Sequence, residues 1–164
     1  MTDIAPLLPA ATELIALCTA QGLTIAAAES CTGGLIAGIL TEVPGSSAVL
    51  ERGFVTYSNT AKAEMLGVPN YLIALNGAVS EEVARAMVEG ALLRSPADLA
   101  VAVTGIAGPA GGTLAKPVGL VHFAAARRGG AVVHVERRFG AIGRSEVRLA
   151  SVQQALAMLT ELAG

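Results

Sequence analysis

The chain has 164 residues, 53% of them hydrophobic, 15% charged and 3% aromatic, with 19 glycines, no tryptophan and a formal net charge of −2. The charged share lies well below the ~25% of an average globular protein, which excludes disorder and a coiled coil. The slight acidic excess leaves no electrostatic footprint for nucleic acid, so no nucleic-acid partner is expected.

A length near 150 residues suggests one domain over residues 1–164, long enough to bury a core without disulfides or metals. A membrane span needs about 20 apolar residues in one run. The longest uncharged stretch, Leu99 to Ala115, is broken by Gly105, Gly108, Pro109, Gly111 and Gly112, so no membrane partner is expected. The N-terminus lacks a positively charged signal region, and Cys18 and Cys31 have no metal-ligand spacing. A reduced, cytoplasmic setting without a metal or cofactor is the expectation.

In chain order, residues 9–21 carry a helical stripe (Leu14, Ile15, Leu17, Cys18) opened by Pro9 and stopped by Gly22. Residues 23–29 read as a buried strand. The loop SCTGG follows, then a helix over 35–43 that ends before Pro44. Residues 53–58 have the β-branched and aromatic content of a strand. Asn59 is the expected cap of a short helix closed by Gly67. Ser80-Glu81-Glu82 starts a helix that runs to Arg94, with acids on the positive end of its dipole. Residues 98–105 read as a strand buried on both faces. Residues 118–126 and 131–139 form a late β-hairpin, and a last helix covers 143–162. Helices and apolar strands intermixed in this way predict a layered α/β domain with a mixed sheet.

Four polar or Gly-rich loops at element ends could carry chemistry, since open α/β sheets gather ligands there. In the first, Glu29, Ser30, Cys31, Thr32, Gly33 and Gly34 lie between a strand and a helix, where hydroxyls and amides would favour an anion or a developing oxyanion. Cys31 reads as a small buried hydrophobe, because neither histidine is near in sequence. In the second, Gly45, Ser46 and Ser47 precede Tyr57, Ser58, Asn59 and Lys62. Serine needs a base, and a desolvated lysine can serve where histidine is absent. The spacing of 15 residues between Ser47 and Lys62 suggests that the intervening strand brings the two together. In the third, Thr104 and Gly105 open a long Gly-rich loop that does not have P-loop spacing. In the fourth, Arg144 stands at a helix start, where the dipole disfavours a cation. A phosphate contact or a surface ion pair with Glu146 or another acid would each account for it. His122 and His134 read as strand residues paired across the hairpin. Arg127, Arg128, Arg137 and Arg138 read as its solvated face.

Taken together, AESCTGG (28–34), PGSS (44–47), GFVTYSN (53–59) with Lys62, NGAVSE (76–81), TGIAGP (104–109), KPVG (116–119) and GRSEVR (143–148) closely resemble the CinA C-terminal domain family. The resemblance covers about residues 8–163. It implies the short, single-domain form, without the molybdopterin-binding-like N-terminal domain of longer members. It also implies a three-layer α/β/α sandwich and nicotinamide-nucleotide amidohydrolase activity, which converts nicotinamide mononucleotide and water to nicotinate mononucleotide and ammonia in pyridine nucleotide recycling.

The resemblance maps a serine–lysine mechanism onto Ser47 as nucleophile and Lys62 as base, with Ser30 the alternative nucleophile. Tyr57 and Ser30 would assist by proton relay, and Thr104 and Gly105 would form the ligand loop. Arg144 would contact the substrate, and Thr32, Gly33, Gly45, Ser46 and Asn59 complete the expected binding set. Amides of residues 45–48 or of the Thr104–Gly105 turn would hold the oxyanion. Leu50 stands where the family often has an aromatic residue, and Thr60 where it often has an acid. A non-catalytic nucleotide-binding or regulatory module is the competing reading. The apolar content suggests a homodimer or larger homo-oligomer.

Overall fold

The computed structural model describes all 164 residues. Its order is α1 (Leu8–Gln21), β1 (Ile25–Glu29), α2 (Leu35–Thr41), β2 (Leu50–Val55), α3 (Asn59–Leu66), α4 (Asn70–Asn76), α5 (Glu81–Leu93), β3 (Leu99–Gly105), β4 (Leu120–Arg127), β5 (Val133–Arg138) and α6 (Arg144–Ala163). The strands form one sheet ordered β2-β1-β3-β4-β5. β2, β1 and β3 are parallel, and β4 and β5 join as an antiparallel hairpin. The mixed sheet with a late hairpin is as expected. α4 is not expected from the sequence, because its seven residues follow Pro69, which gives no side-chain cap. Tyr71 and Leu75 on it remain exposed, so the apolar stripe that marks a helix in sequence is weak here.

Alternation along the central strands sorts side chains by size. Ile25, Leu99, Val101, Val103, Val121 and Phe123 face one layer, where Leu14 and Ile15 of α1, Ile36 and Leu40 of α2, and Leu156 and Leu159 of α6 close the larger core. The opposite face offers Ala26, Ala28, Ala100, Ala102, Ala124 and Ala126 to α5, with Leu66 of α3 and Ile73 of α4 completing that layer. Alanine-covered sheet lets a helix sit close. Close approach continues at Gly90, where a Cβ would drive into the Leu66 carbonyl. Six strand alanines therefore serve one inter-layer contact.

The parallel strands place three chain ends on one edge of the sheet. β1 runs out into Ser30, β2 into Thr56 and Tyr57, and β3 ends at Gly105. The start of β2 lies at the other edge, since Leu50 is in register with Ile25 and Val55 with Glu29. No helix is long and apolar enough to cross a membrane.

Candidate active site

The edge where β1, β2 and β3 end carries a cleft of about 290 Å³, lined by Ser30, Tyr57, Asn59, Lys62, Thr104 and Arg144 among others. Lys62 lies in the first turn of α3, and its side chain folds back under the sheet edge until only 1% of it is exposed. Its Nζ donates to Ser30 Oγ at 2.9 Å and to the Thr56 carbonyl at 2.8 Å. No carboxylate forms an ion pair with it. Burial without a counter-charge disfavours the ammonium and holds Lys62 below the ordinary lysine value. That shift raises the share of neutral amine, and the neutral amine against a serine hydroxyl is a base in contact with a nucleophile.

The expected Ser47–Lys62 pairing does not occur. Ser47 is exposed on a short 3-10 turn at Ser46–Ala48, before β2, while Lys62 follows the far end of that strand. Five residue steps of extended chain span roughly 17 Å, so the two groups sit at opposite edges of the sheet. Gly45, Ser46 and Ser47 are all outside the cleft, and amides 45–48 are too distant to serve an oxyanion there. The strand that was expected to return Lys62 toward Ser47 carries it to Ser30 instead.

The Ser30–Gly34 loop is fixed by a residue that the sequence reading did not assign. Glu29 is fully buried, and its carboxylate accepts from the N–H groups of Gly34, Ile36 and Ala37. The positive end of α2 is therefore already occupied, which corrects the expectation of an anion site there. A lone acid closing an apolar strand was the signal available. On the outer side, Arg148 Nε donates to the Cys31 carbonyl at 3.1 Å and its Nη2 to the Thr32 carbonyl at 3.1 Å. Thr32 is buried and Gly33 is exposed beside Arg148, and neither lines the cleft. Cys31 does line it, but burial pushes its thiol up to about 12. It stays protonated at neutral pH, as the reading of a small buried hydrophobe requires.

Ser58, not Asn59, caps α3: its hydroxyl accepts from Ala61 N–H at 3.0 Å. Asn59 takes the first helical position and faces the cleft. Thr104 Oγ1 donates to the Ala78 carbonyl at 2.8 Å, tying β3 to the segment before α5, and Gly105 lies beside it in the wall. Arg144 has no acidic partner. It donates to the Gly108 carbonyl at 2.9 Å and to Tyr57 Oη at 2.9 Å, which excludes the Glu146 ion pair. The cleft thus holds two basic side chains, Lys62 and Arg144, and no carboxylate.

His122 Nδ1 and His134 Nε2 pair at 2.9 Å across the hairpin, as expected, and His134 approaches Glu81 at 3.6 Å. Arg128 departs from the solvated face expected for the hairpin. Its guanidinium donates to the carbonyls of Leu92, Ser95 and Ala97 and closes the loop after α5.

A family model described as the CinA C-terminal domain matches residues 8–163. A CinA-like protein of Akkermansia muciniphila is 56% identical over 141 residues, 86% of this chain and 34% of that protein. A putative competence-damage inducible protein of Symbiobacterium thermophilum is 64% identical over 109 residues, 66% of this chain and 26% of that protein. The chain thus spans about a third or less of the curated relatives it matches. Among solved structures, the competence/damage inducible protein CihA of Agrobacterium tumefaciens superposes with a TM-score of 0.95 at 56% identity, covering 96% of each chain. A CinA superfamily protein of Klebsiella pneumoniae gives 0.89 at 35% identity, covering 95% of this chain and 96% of that one.

Proposed function

This chain belongs to the CinA C-terminal domain family, and from that premise we propose that it is a nicotinamide-nucleotide amidohydrolase with Ser30 as nucleophile and Lys62 as base. The observation that carries this reading is the 2.9 Å contact between a desolvated, unpaired lysine amine and the Ser30 hydroxyl in a cleft without carboxylates.

The chemistry follows from that contact. Neutral Lys62 takes the Ser30 proton as Oγ attacks the carboxamide carbon, so a C–O bond forms and the carbonyl electrons move to oxygen. The Cys31 N–H, which donates to no backbone carbonyl and directly follows the nucleophile, is the donor for that oxyanion. The Lys62 ammonium then gives its proton to the departing nitrogen. The C–N bond breaks, ammonia leaves and an ester remains on Ser30. Water, deprotonated by the same amine, attacks the ester. Serine departs and regains its proton, and the nucleotide leaves as the carboxylate.

Arg144, held by Tyr57 and Gly108 with no acid beside it, suits the 5′-phosphate of the substrate. Tyr57 and Asn59 shape the mouth. Purified protein is expected to release ammonia from nicotinamide mononucleotide, and Ser30→Ala to abolish it. An active Ser30→Ala variant would assign the chemistry elsewhere. Nucleotide binding without turnover in the unmodified chain would favour a non-catalytic regulatory module.

A further inference from the structure

We infer that Arg148 is a positioning residue for the acyl-transfer step, acting on the peptide groups that follow the nucleophile; this rests on the amidohydrolase reading above. After Ser30, the chain makes a tight turn through Gly34 whose polar groups are divided between two sides. The Ser30 carbonyl accepts from Gly33 N–H, and the Thr32 carbonyl accepts from Leu35 N–H. The Cys31 and Thr32 carbonyls also receive the Arg148 guanidinium through Nε and Nη2. By contrast, the N–H groups of Cys31 and Thr32 donate to no backbone carbonyl. Of the two, Cys31 lines the cleft and Thr32 does not, so the Cys31 N–H, directly after the nucleophile, is the donor that a tetrahedral intermediate needs.

A planar trans peptide points its C=O and N–H in opposite directions. Pinning the Cys31 and Thr32 carbonyls to α6 therefore fixes the planes of the two peptides after Cys31 and holds the turn that carries Ser30 Oγ and the Cys31 N–H. The fork of Arg148 spans two successive carbonyls, which a lysine ammonium cannot match. Arg148 has no acidic partner to divert its charge, and its remaining nitrogen meets only Thr2 Oγ1 at 3.3 Å. Arg144 lies one helical turn earlier on α6 and reaches the mouth of the cleft. One helix end therefore serves both the expected phosphate site and the nucleophile loop.

The test compares ammonia release from nicotinamide mononucleotide by the full chain and by its Arg148→Ala and Arg148→Lys variants, well below the melting temperature of each. Misplacing a reacting group by about 1 Å costs about 100-fold. Arg148→Ala is expected to lower kcat by about 10- to 100-fold, with KM within about twofold and the pH midpoint set by Lys62 unmoved. Added methylguanidinium is expected to restore part of kcat, and methylammonium at equal concentration none. If Arg148→Ala does not fold, Arg148→Lys carries the test and is expected to show a kcat loss at unchanged KM. Unchanged kcat, a loss confined to KM, or equal effects of the two added cations would overturn the inference while leaving the amidohydrolase reading in place. An unmodified chain that releases no ammonia would overturn both.

Discussion

Lys62 Nζ lies 2.9 Å from Ser30 Oγ although 32 residues separate them, and the Thr56 carbonyl holds the same amine from its other side. The contact exists because β1 and β2 are parallel neighbours, so the residue after one and the helix after the other emerge at the same edge. The first prediction follows directly. Ser30→Ala and Lys62→Met are each expected to lower ammonia release by at least about 1000-fold, as loss of a nucleophile or its base does. Ser47→Ala, at the opposite edge, is expected to stay within about twofold. Steady-state kinetics of the three variants decides between the two serines.

The pH dependence of activity follows from the burial of Lys62. The base must be neutral, and burial lowers its folded pKa below the ordinary lysine value of 10.5. Activity is expected to rise with pH through that lowered value and to lose this limb in Lys62→Met. A profile whose basic limb sits at or above 10.5 would contradict a desolvated base.

Stability should carry the same signature with its own sign. Between the lowered folded pKa and 10.5, the unfolded chain binds the Lys62 proton and the folded chain does not. Unfolding free energy therefore rises with pH across that window. The stability of the unmodified chain relative to Lys62→Met is expected to increase as pH rises through it, and to be flat below it. Denaturant titrations at several pH values measure the difference.

Glu29 is expected to matter for folding before it matters for catalysis. Its buried carboxylate satisfies three amides at the start of α2. Glu29→Ala leaves them without acceptors, at a cost on the order of 3 kcal/mol. Glu29→Gln keeps the shape, and its amide oxygen can still accept from Gly34 and Ile36, but its NH2 faces the Ala37 N–H, so it should recover only part of the loss. A melting temperature unchanged in either variant would count against this account.

Gly90 provides a test of the alanine-lined layer. On propensity alone, Gly90→Ala should stabilise α5 by about 1 kcal/mol. The added methyl instead meets the Leu66 backbone, which cannot step aside as a side chain can. A net loss of about 1–3 kcal/mol is expected. Substituting an exposed α5 residue such as Glu89 by alanine controls for the helix itself.

Arg144→Gln is expected to raise KM for nicotinamide mononucleotide by about 10-fold or more, the worth of one charge-assisted contact. It should matter much less for a nicotinamide riboside lacking the phosphate. Equal effects on both would remove the phosphate from the Arg144 site.

Much of this protein was determined by local sequence. Apolar runs, glycine stops and serine caps mark nearly every element, because those signals act within one helical turn or one strand. The residues of the cleft (Ser30, Tyr57, Lys62, Thr104 and Arg144) were all visible as polar groups at element ends. Their partners were not, since a hydrogen bond across 32 residues depends on which strands are neighbours and which way they run. Ser47 and Ser30 are equivalent in sequence, each a serine in a Gly-containing loop. Only the parallel register of β1 and β2 sends one to the lysine and the other to the opposite edge. Glu29 and Arg148 likewise look ordinary along the chain. Their roles arise where burial denies backbone amides and carbonyls water, so that a carboxylate on one side and a guanidinium on the other must satisfy them. Tertiary structure alone decided that division.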